Sequence, residues 1–176
     1  GFRLGKDSMT LAAHAYFKNE TPDFYLQHYR SNHYQWENDF NKTLRFHIGG
    51  EVAYPTKWVK PKLKVAFENI TQHIYFDENG LPQQMNGNIQ LLSADLQLNL
   101  TTPWVNLDNR VVYQHTSSAY LPLPALTMYN NLYYHGTWVK ALDVQIGVDM
   151  RFFTKYYAPV LNPALGQFCI QNQEQV

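Results

Sequence analysis

The chain has 176 residues and a formal net charge of zero, with 16% charged and 15% aromatic residues. No run of about 18 apolar residues occurs, which excludes a transmembrane helix, and the sequence lacks the basic face of a nucleic-acid-binding protein. Cys169 is the only cysteine, so no disulfide forms within these residues. Low charge with many aromatic residues is typical of a β-barrel that has one apolar and one polar face.

The first two predicted elements are weak. Residues 8–18 alternate and favour a strand, although Leu11, Ala12, Ala15 and Tyr16 also fit the apolar stripe of a short helix. Residues 23–30 favour a second strand. The sequence therefore leaves the type of the first element open and predicts a strand for the second.

The next predicted strand covers residues 42–54 and contains two adjacent glycines. Its apolar row is Leu44, Phe46, Ile48, Val52 and Tyr54, and its polar row is Thr43, Arg45, His47 and Glu51. This period of two is that of a strand with one apolar and one polar face. Gly49 and Gly50 inside the strand indicate a bulge or close packing.

Residues 62–76 also alternate, but their apolar positions change parity along the way. The apolar residues are first Leu63, Val65 and Phe67, and then Ile70, Ile74 and Phe76. One extra residue in a strand shifts the side chains that follow it to the other face. We therefore predict a bulge near Glu68 and Asn69.

Two long strands carry the strongest signal. In residues 89–100, Leu92, Ala94, Leu96, Leu98 and Leu100 lie opposite Ser93, Asp95, Gln97 and Asn99. In residues 138–153, the apolar row Leu142, Val144, Ile146, Val148, Met150 and Phe152 lies opposite Asp143, Gln145, Gly147, Asp149 and Arg151. A helix would scatter the charged residues of the second segment around its circumference, whereas a strand collects them on one face.

Weaker strands at residues 110–117 and 125–135 bring the predicted total to about eight. The connections at residues 19–22 and 55–61 are short, those at residues 31–41 and 77–87 are long, and His135, Gly136 and Thr137 predict a tight turn. Alternating short and long connections are typical of a barrel with turns at one end and loops at the other. We expect an all-β fold, an antiparallel up-and-down transmembrane β-barrel or a segment of one, with a single domain over residues 1–176.

Alternation alone does not reveal which face meets the solvent, because a β-sandwich or a lipocalin-like barrel alternates with its apolar residues inside. Three features favour a membrane: strands as long as the roughly 9–11 residues a bilayer requires, an apolar row without charges, and aromatic residues at strand ends. These aromatic residues are Tyr54, Trp58, Tyr75, Phe76, Trp104, Tyr133, Tyr134, Trp138, Tyr156 and Tyr157.

The membrane hypothesis assigns each row an environment. The residues expected to face lipid are Leu92, Leu96, Leu98, Leu142, Val144, Ile146, Val148 and Met150. The residues expected to face the lumen are Arg45, His47, Glu51, Asp95, Gln97, Asn99, Asp143, Gln145, Asp149 and Arg151. One alternative is a soluble β-sandwich or lipocalin-like module that binds a ligand or carbohydrate, which would bury Leu142, Val144 and Ile146 against protein. Another is a surface-exposed carbohydrate-active β-domain, which the aromatic segment 34–36 would favour.

The residues that could carry chemistry do not form a recognised motif. The seven histidines lack the spacing of a zinc site, and no serine lies in a Gly-x-Ser-x-Gly motif. Asp143 and Asp149 share a face, but six residues of strand separate them by about 20 Å, too far for a glycosidase pair. We therefore expect no enzymatic activity, no metal site and no cofactor.

The C-terminal third carries a recognisable pattern. A long strand ending at Phe153 is followed by the segments Thr154-Lys155-Tyr156-Tyr157-Ala158-Pro159 and Asn162-Pro163-Ala164-Leu165-Gly166-Gln167-Phe168. This pattern resembles the outer-membrane porins of Bacteroidetes-type bacteria. The resemblance implies a porin-like channel for passive diffusion of small polar solutes, located in the bacterial outer membrane. The partners it implies are outer-membrane lipid, small polar solutes and other outer-membrane proteins. Because the chain lacks a signal peptide and a closing strand, we expect it to be a fragment of such a barrel.

Overall fold

The computed structural model describes residues 2–4, 7–139 and 142–176, and these residues are almost entirely β-structure. The strands are β1 (Phe2–Leu4), β2 (Asp7–Glu20), β3 (His28–Arg30), β4 (Gln35–Glu37), β5 (Thr43–Ala53), β6 (Val59–Thr71), β7 (Ile74–Phe76), β8 (Pro82–Gln84), β9 (Asn88–Thr101), β10 (Val105–Thr116), β11 (Leu126–Trp138), β12 (Leu142–Phe153), β13 (Val160–Asn162) and β14 (Gln167–Cys169). A single helical turn, α1 (Phe24–Gln27), precedes β3. No helix in the described ranges is long and apolar enough to cross a membrane.

The large sheet, which we call the wall, follows the order β1-β2-β5-β6-β9-β10-β11-β12. Every neighbouring pair in it is antiparallel. Apart from the short β1, its strands are 11 to 14 residues long. This up-and-down order confirms the predicted all-β antiparallel fold. Within the described residues β12 has a partner on one side only, so the sheet is not closed into a barrel.

The two ends of the wall carry different connections. Short turns at residues 54–58 and 102–104 join β5 to β6 and β9 to β10. Only three residues separate β11 from β12 at the same end, and two of them, Lys140 and Ala141, lie outside the described residues. The connections at the opposite end span residues 21–42, 72–87 and 117–125. The alternation is regular along the whole wall, as a barrel with turns at one end and loops at the other requires.

The connections at residues 21–42 and 72–87 fold together with the segment that follows β12 into a second unit, which we call the cap. It consists of α1, the β3–β4 hairpin and a four-stranded sheet in the order β13-β14-β7-β8. Its buried core is Trp36, Phe76 and Cys169, against which Tyr25, Leu26, Tyr29, Tyr34, Leu81 and Leu165 pack. The segments that form the cap are far apart in sequence: Cys169 pairs in parallel with Phe76, and Asn162 Nδ2 donates to Tyr34 Oη over 2.9 Å.

The predicted bulge near Glu68 and Asn69 is wrong. Strand β6 pairs without interruption with β5 on one side and with β9 on the other. The apolar residues change parity because Ile70 lies on the polar side of the wall, at the end that carries the long connections, where it and its cross-strand partner Ile89 are buried. Beyond Gln72, whose φ is +60°, the chain leaves the wall, so Ile74 and Phe76 belong to the cap.

Three other expectations about local structure are resolved. Residues 8–18 lie in strand β2, which excludes the helical alternative, whereas residues 23–30 form one helical turn followed by only three strand residues. The predicted turn at residues 135–137 is wrong, since β11 runs through it to Trp138. Gly136 lies within the strand, with the Tyr134 ring over it. A Cβ at position 136 would be 2.7 Å from Tyr134 Cζ.

Candidate functional site

The ten residues expected to face a lumen all lie on one face of the wall, which we call the polar face. Residues directly opposite each other on neighbouring strands share a face of the sheet. His47 is opposite Glu68, Lys64 is opposite Asp95, and Gln97 is opposite Arg110. The same face continues across β10, β11 and β12, where Arg110 is opposite Tyr129 and Tyr129 is opposite Arg151. The ten residues are Arg45, His47, Glu51, Asp95, Gln97, Asn99, Asp143, Gln145, Asp149 and Arg151. The alternation in the sequence therefore placed all ten residues on one face of the sheet, but it does not show what contacts that face.

The eight residues expected to face lipid lie together on the opposite side, which we call the apolar face. They are Leu92, Leu96, Leu98, Leu142, Val144, Ile146, Val148 and Met150. The same face carries Leu11 and Phe17 of β2, Ile48 of β5 and Val65 of β6. The soluble alternative required Leu142, Val144 and Ile146 to be buried against protein; instead Leu142 and Ile146 are exposed and Val144 is only partly buried.

Burial on the central strands of the wall is inverted relative to a water-soluble sheet. The apolar Leu92 and Leu98 of β9 are 46% and 41% exposed. The polar-face side chains of Asp95, His47 and Glu68 are only 13%, 15% and 16% exposed. Soluble monomers rarely expose contiguous apolar patches larger than a few hundred Å², and they rarely bury charges more deeply than leucines. The wall therefore has the distribution of side chains that suits an apolar medium on one side and an aqueous one on the other.

The polar face is held together by ion pairs that cross between strands. Glu51 on β5 binds Lys62 and Lys64 on β6, with N···O distances of 2.8 Å and 3.6 Å. Asp95 on β9 binds Arg110 on β10 at 2.8 Å. Such pairs satisfy the charges of a crowded polar surface and leave both signs distributed across it.

The last two strands of the wall carry a separate polar group. Tyr129 Oη donates to Asp149 Oδ1 over 3.3 Å, and the Arg151 guanidinium lies 5.5 Å from the centre of the Tyr129 ring. Thr137 Oγ1 donates to Asp143 Oδ1 over 2.6 Å. Gln145 is exposed near this edge. The predicted polar residues thus form several local groups rather than one catalytic cluster.

A cavity of about 580 Å³ lies where the cap meets the polar face. Glu20, Thr43 and Arg45 of the wall line one side of it, and Asp23, Leu26, His73 and Ile74 line the other. Burial, assisted by the charge of Arg45, lowers the pKa of His73 below its ordinary value. The cavity therefore places a histidine that favours its neutral form beside an arginine at one end of the polar face.

A second cavity of about 570 Å³ lies between the connection that follows β10 and the C-terminal segment. Tyr120, Tyr156 and Tyr157 contribute aromatic surface to it, and Glu78 and Lys155 contribute charges. The Tyr120 ring stacks on Tyr75 with a centroid distance of 4.5 Å. Burial, followed by the proximity of Tyr120, raises the pKa of Tyr75. No expectation from the sequence combined these tyrosines, because they come from separate connections.

Part of the expected aromatic belt lies at the short-turn end of the wall. Trp58, Trp104, Tyr134 and Trp138 lie exposed near the short turns. Lys57 Nζ lies 4.8 Å from the centre of the Trp58 ring, a cation–π contact at the same end. Phe76 does not belong to a belt, because it is buried in the cap core.

The aromatic segment 34–36, proposed above as a sugar-binding loop, is structural. Trp36 is buried in the cap core, where its Nε1 donates to the Tyr25 carbonyl over 2.9 Å and its ring stacks on Tyr29. The segment that carries the family resemblance has a structural role as well. Residues 160–169 form the β13–β14 hairpin, and the Asn162 carbonyl accepts hydrogen bonds from the backbone N–H groups of Leu165 and Gly166.

Among the residues that the structure describes, no three His, Cys, Asp or Glu side chains are grouped as metal ligands. A family model described as "Putative porin" matches residues 1–176. This range includes both the wall and the cap. Neither the curated proteins nor the solved structures gave a match.

Proposed function

Because the chain belongs to this porin family, we propose that it forms the wall of an outer-membrane pore through which small polar solutes diffuse passively. The apolar face contacts lipid and the polar face lines the water-filled lumen. The observation that carries the proposal is the inverted burial of the central strands, with exposed aliphatic residues on one face and Asp95, His47 and Glu68 largely covered on the other. Porins combine these two surfaces in one set of strands.

The dimensions of the wall support the same assignment. A strand that crosses a bilayer needs about 9–11 residues, and the strands from β2 to β12 in the wall have 11 to 14. Trp58, Trp104 and Trp138 near the short turns suit the membrane–water interface, where indole rings partition. We assign the short-turn end to the periplasmic side and the cap to the outer mouth, following the usual arrangement of turns and loops.

In a membrane, the two edges of the wall cannot remain without partners. In lipid, every backbone N–H and C=O must find a partner, so an open edge is not tolerated. The outer edge of β12 and the edge formed by β1 and β2 therefore pair in the membrane, either with each other or with further strands. Seven long strands closed on themselves would leave little room for water, since even eight give an interior filled by side chains. A solute-conducting pore thus requires additional strands.

The polar face supports weak selectivity. The cations Lys62, Lys64 and Arg110 form ion pairs with the carboxylates of Glu51 and Asp95, so both signs alternate on this surface. A pore that selects one type of ion uses rings of a single sign. Paired charges of both signs suit neutral or zwitterionic polar solutes, and no step of the proposal needs a catalytic group.

Cysteine substitution on adjacent residues tests the two faces directly. Gln97→Cys places a thiol on the polar face and Leu98→Cys places one on the apolar face, with the protein reconstituted in liposomes. We expect a charged, membrane-impermeant thiol reagent to label Gln97→Cys and to reduce sugar permeation through it, and to leave Leu98→Cys unlabelled. The native Cys169 gives little background because it is buried, and burial, assisted by the nearby Asp77 charge, raises the pKa of its thiol.

Two results would count against the proposal. If liposomes containing the native protein, assembled with the additional strands that a pore requires, admit no small sugar, the pore function is wrong. If Leu98→Cys is labelled as fast as Gln97→Cys, the apolar face is not in contact with lipid. Heat-modifiable migration on gels confirms in each case that the variant has folded.

A further inference from the structure

Three aromatic rings lie in a row on the polar face, on strands β2 and β5. Tyr16 stacks on His47 with a centroid distance of 4.7 Å and an interplanar angle of 8°, and His14 stacks on His47 at 5.1 Å and 21°. The Nε2 atoms of the two histidines are 3.1 Å apart. Two ring nitrogens that approach so closely need either a proton or a cation between them, because two lone pairs repel.

Gly49 makes this arrangement fit. It lies directly opposite His14 in the pairing of β2 with β5. A Cβ at position 49 would lie 2.8 Å from both Cε1 and Nε2 of His14, and 3.3 Å from Nε2 of His47. The absence of a side chain therefore forms a hollow in which both imidazole edges meet.

Glu68 determines which nitrogen of His47 carries the proton. Its Oε2 is 3.4 Å from His47 Nδ1, and its Oε1 is 3.2 Å from Nε of Arg45. A carboxylate at Nδ1 favours the tautomer protonated there, which leaves the Nε2 lone pair free to point at His14. Carboxylates hold metal-binding histidines in this way, and Arg45 balances the charge of this one.

We propose that the Nε2 atoms of His14 and His47 bind one divalent transition-metal ion on the polar face, in the hollow above Gly49. An ion about 2.0–2.1 Å from each nitrogen makes an angle of about 98° between them, between the tetrahedral and octahedral values. Imidazole nitrogens suit Zn²⁺, Cu²⁺ and Ni²⁺ rather than Mg²⁺ or Ca²⁺. Water completes the coordination shell, which makes the site open and exchangeable. The inference does not depend on whether the wall conducts solutes.

Cu²⁺ alone, added to the full protein in detergent micelles, is the probe. We expect one bound ion whose electron paramagnetic resonance spectrum shows coupling to two nitrogen ligands. His14→Ala and His47→Ala should each lose the two-nitrogen signal. His135→Ala, which removes a histidine from the polar face of β11, is the matched control and should bind as the native protein does.

Two further variants keep both histidines and test the proposed geometry. Gly49→Ala fills the hollow and displaces the free end of the His14 side chain, so it should abolish the two-nitrogen signal while circular dichroism shows an unchanged sheet. Glu68→Gln removes the carboxylate behind His47 and should weaken binding about 10–100-fold. Native-like coupling in His14→Ala or in Gly49→Ala would overturn the proposal, as would native protein that binds no Cu²⁺, which would identify a hydrogen-bonded histidine pair.

Discussion

The wall and the cap are made by one chain, but they are stabilised in opposite ways. The cap follows the usual rule of soluble proteins, with Trp36, Phe76 and Cys169 buried and polar groups outside. The apolar face of the wall is exposed in the part of the chain that the structure describes, while charges pair on the polar face. The strands of the wall are held together by long antiparallel ladders, whereas the cap strands have three residues each.

This difference indicates that each unit depends on a different medium. The cap buries its own apolar surface and is stable in water for that reason. The wall gains nothing from apolar burial until lipid covers its exposed face. Changes to the cap core should therefore destabilise the cap and leave the wall intact, and changes to the apolar face should do the reverse.

The largest effect is expected from Trp36→Ala in the cap. The substitution removes a buried ring that packs edge-on against Tyr25 and stacks on Tyr29 at 4.6 Å. Loss of such a side chain costs about 3–5 kcal/mol. Hydrogen exchange followed by mass spectrometry should show faster exchange in the cap and unchanged exchange in the wall.

Trp104→Ala is the matched control for this measurement. Trp104 is exposed in a short turn at the opposite end of the wall, so its removal should not alter exchange in the cap. If Trp36→Ala accelerates exchange throughout β5, β6 and β9, the wall and the cap form one cooperative unit and the distinction fails.

The next largest effect is expected on the apolar face. Ile146→Arg places a charge on an exposed row of β12, and a cation at the bilayer midplane costs about 2–4 kcal/mol. Gln145→Arg, one residue away on the polar face, should be tolerated because it places the cation among polar residues. Urea titrations of folding into lipid vesicles compare the two variants, and equal stability would contradict a lipid contact for this row.

The wall could be predicted from the sequence because its signal is local. Strands such as β9 and β12 alternate along most of their length, and parity alone assigned Asp95 and Ile146 to opposite faces. The strand predicted at residues 110–117 proved longer, as Val105–Thr116, because Asn106 and Asn109 interrupt the alternation at its start. The strand predicted at residues 125–135 continues to Trp138 because the turn expected at residues 135–137 does not form.

The cap could not be predicted because its strands are short and its contacts are distant. A three-residue strand has no measurable period, and pairs such as Phe76 with Cys169 exist only when the whole chain is folded. The position of Ile70 was misread because the alternation does not reveal that this end of the polar face is buried. The histidine pair was also missed, because His14 and His47 lie on separate strands and have no sequence spacing in common.

A smaller effect is expected from the ion pair between Asp95 and Arg110. Arg110 is more than half exposed, so water and salt screen the pair, and such pairs contribute about 0.2–1 kcal/mol. Asp95→Asn should lower the thermal midpoint in detergent slightly, and the difference should shrink as the salt concentration rises. Asp108→Asn is the matched control, because Asp108 lies on the same face and forms no ion pair in the described residues. It should leave the midpoint unchanged. An equal decrease in both variants would exclude the ion pair as the cause.

The smallest effect is expected from the titration of His73 beside the cap. Burial and Arg45 lower its pKa in the folded protein, so the unfolded chain takes up a proton first, near its ordinary value of about 6.5. The cap should therefore keep its full stability above that pH and lose stability as the pH falls below it. Urea titrations monitored by Trp36 fluorescence at several pH values should show this loss in the native protein and a reduced loss in His73→Gln. His33→Gln replaces an exposed histidine in the same unit and should retain the native pH dependence of stability. If the loss of stability at low pH is reduced in His33→Gln and not in His73→Gln, the buried imidazole of His73 is not its cause.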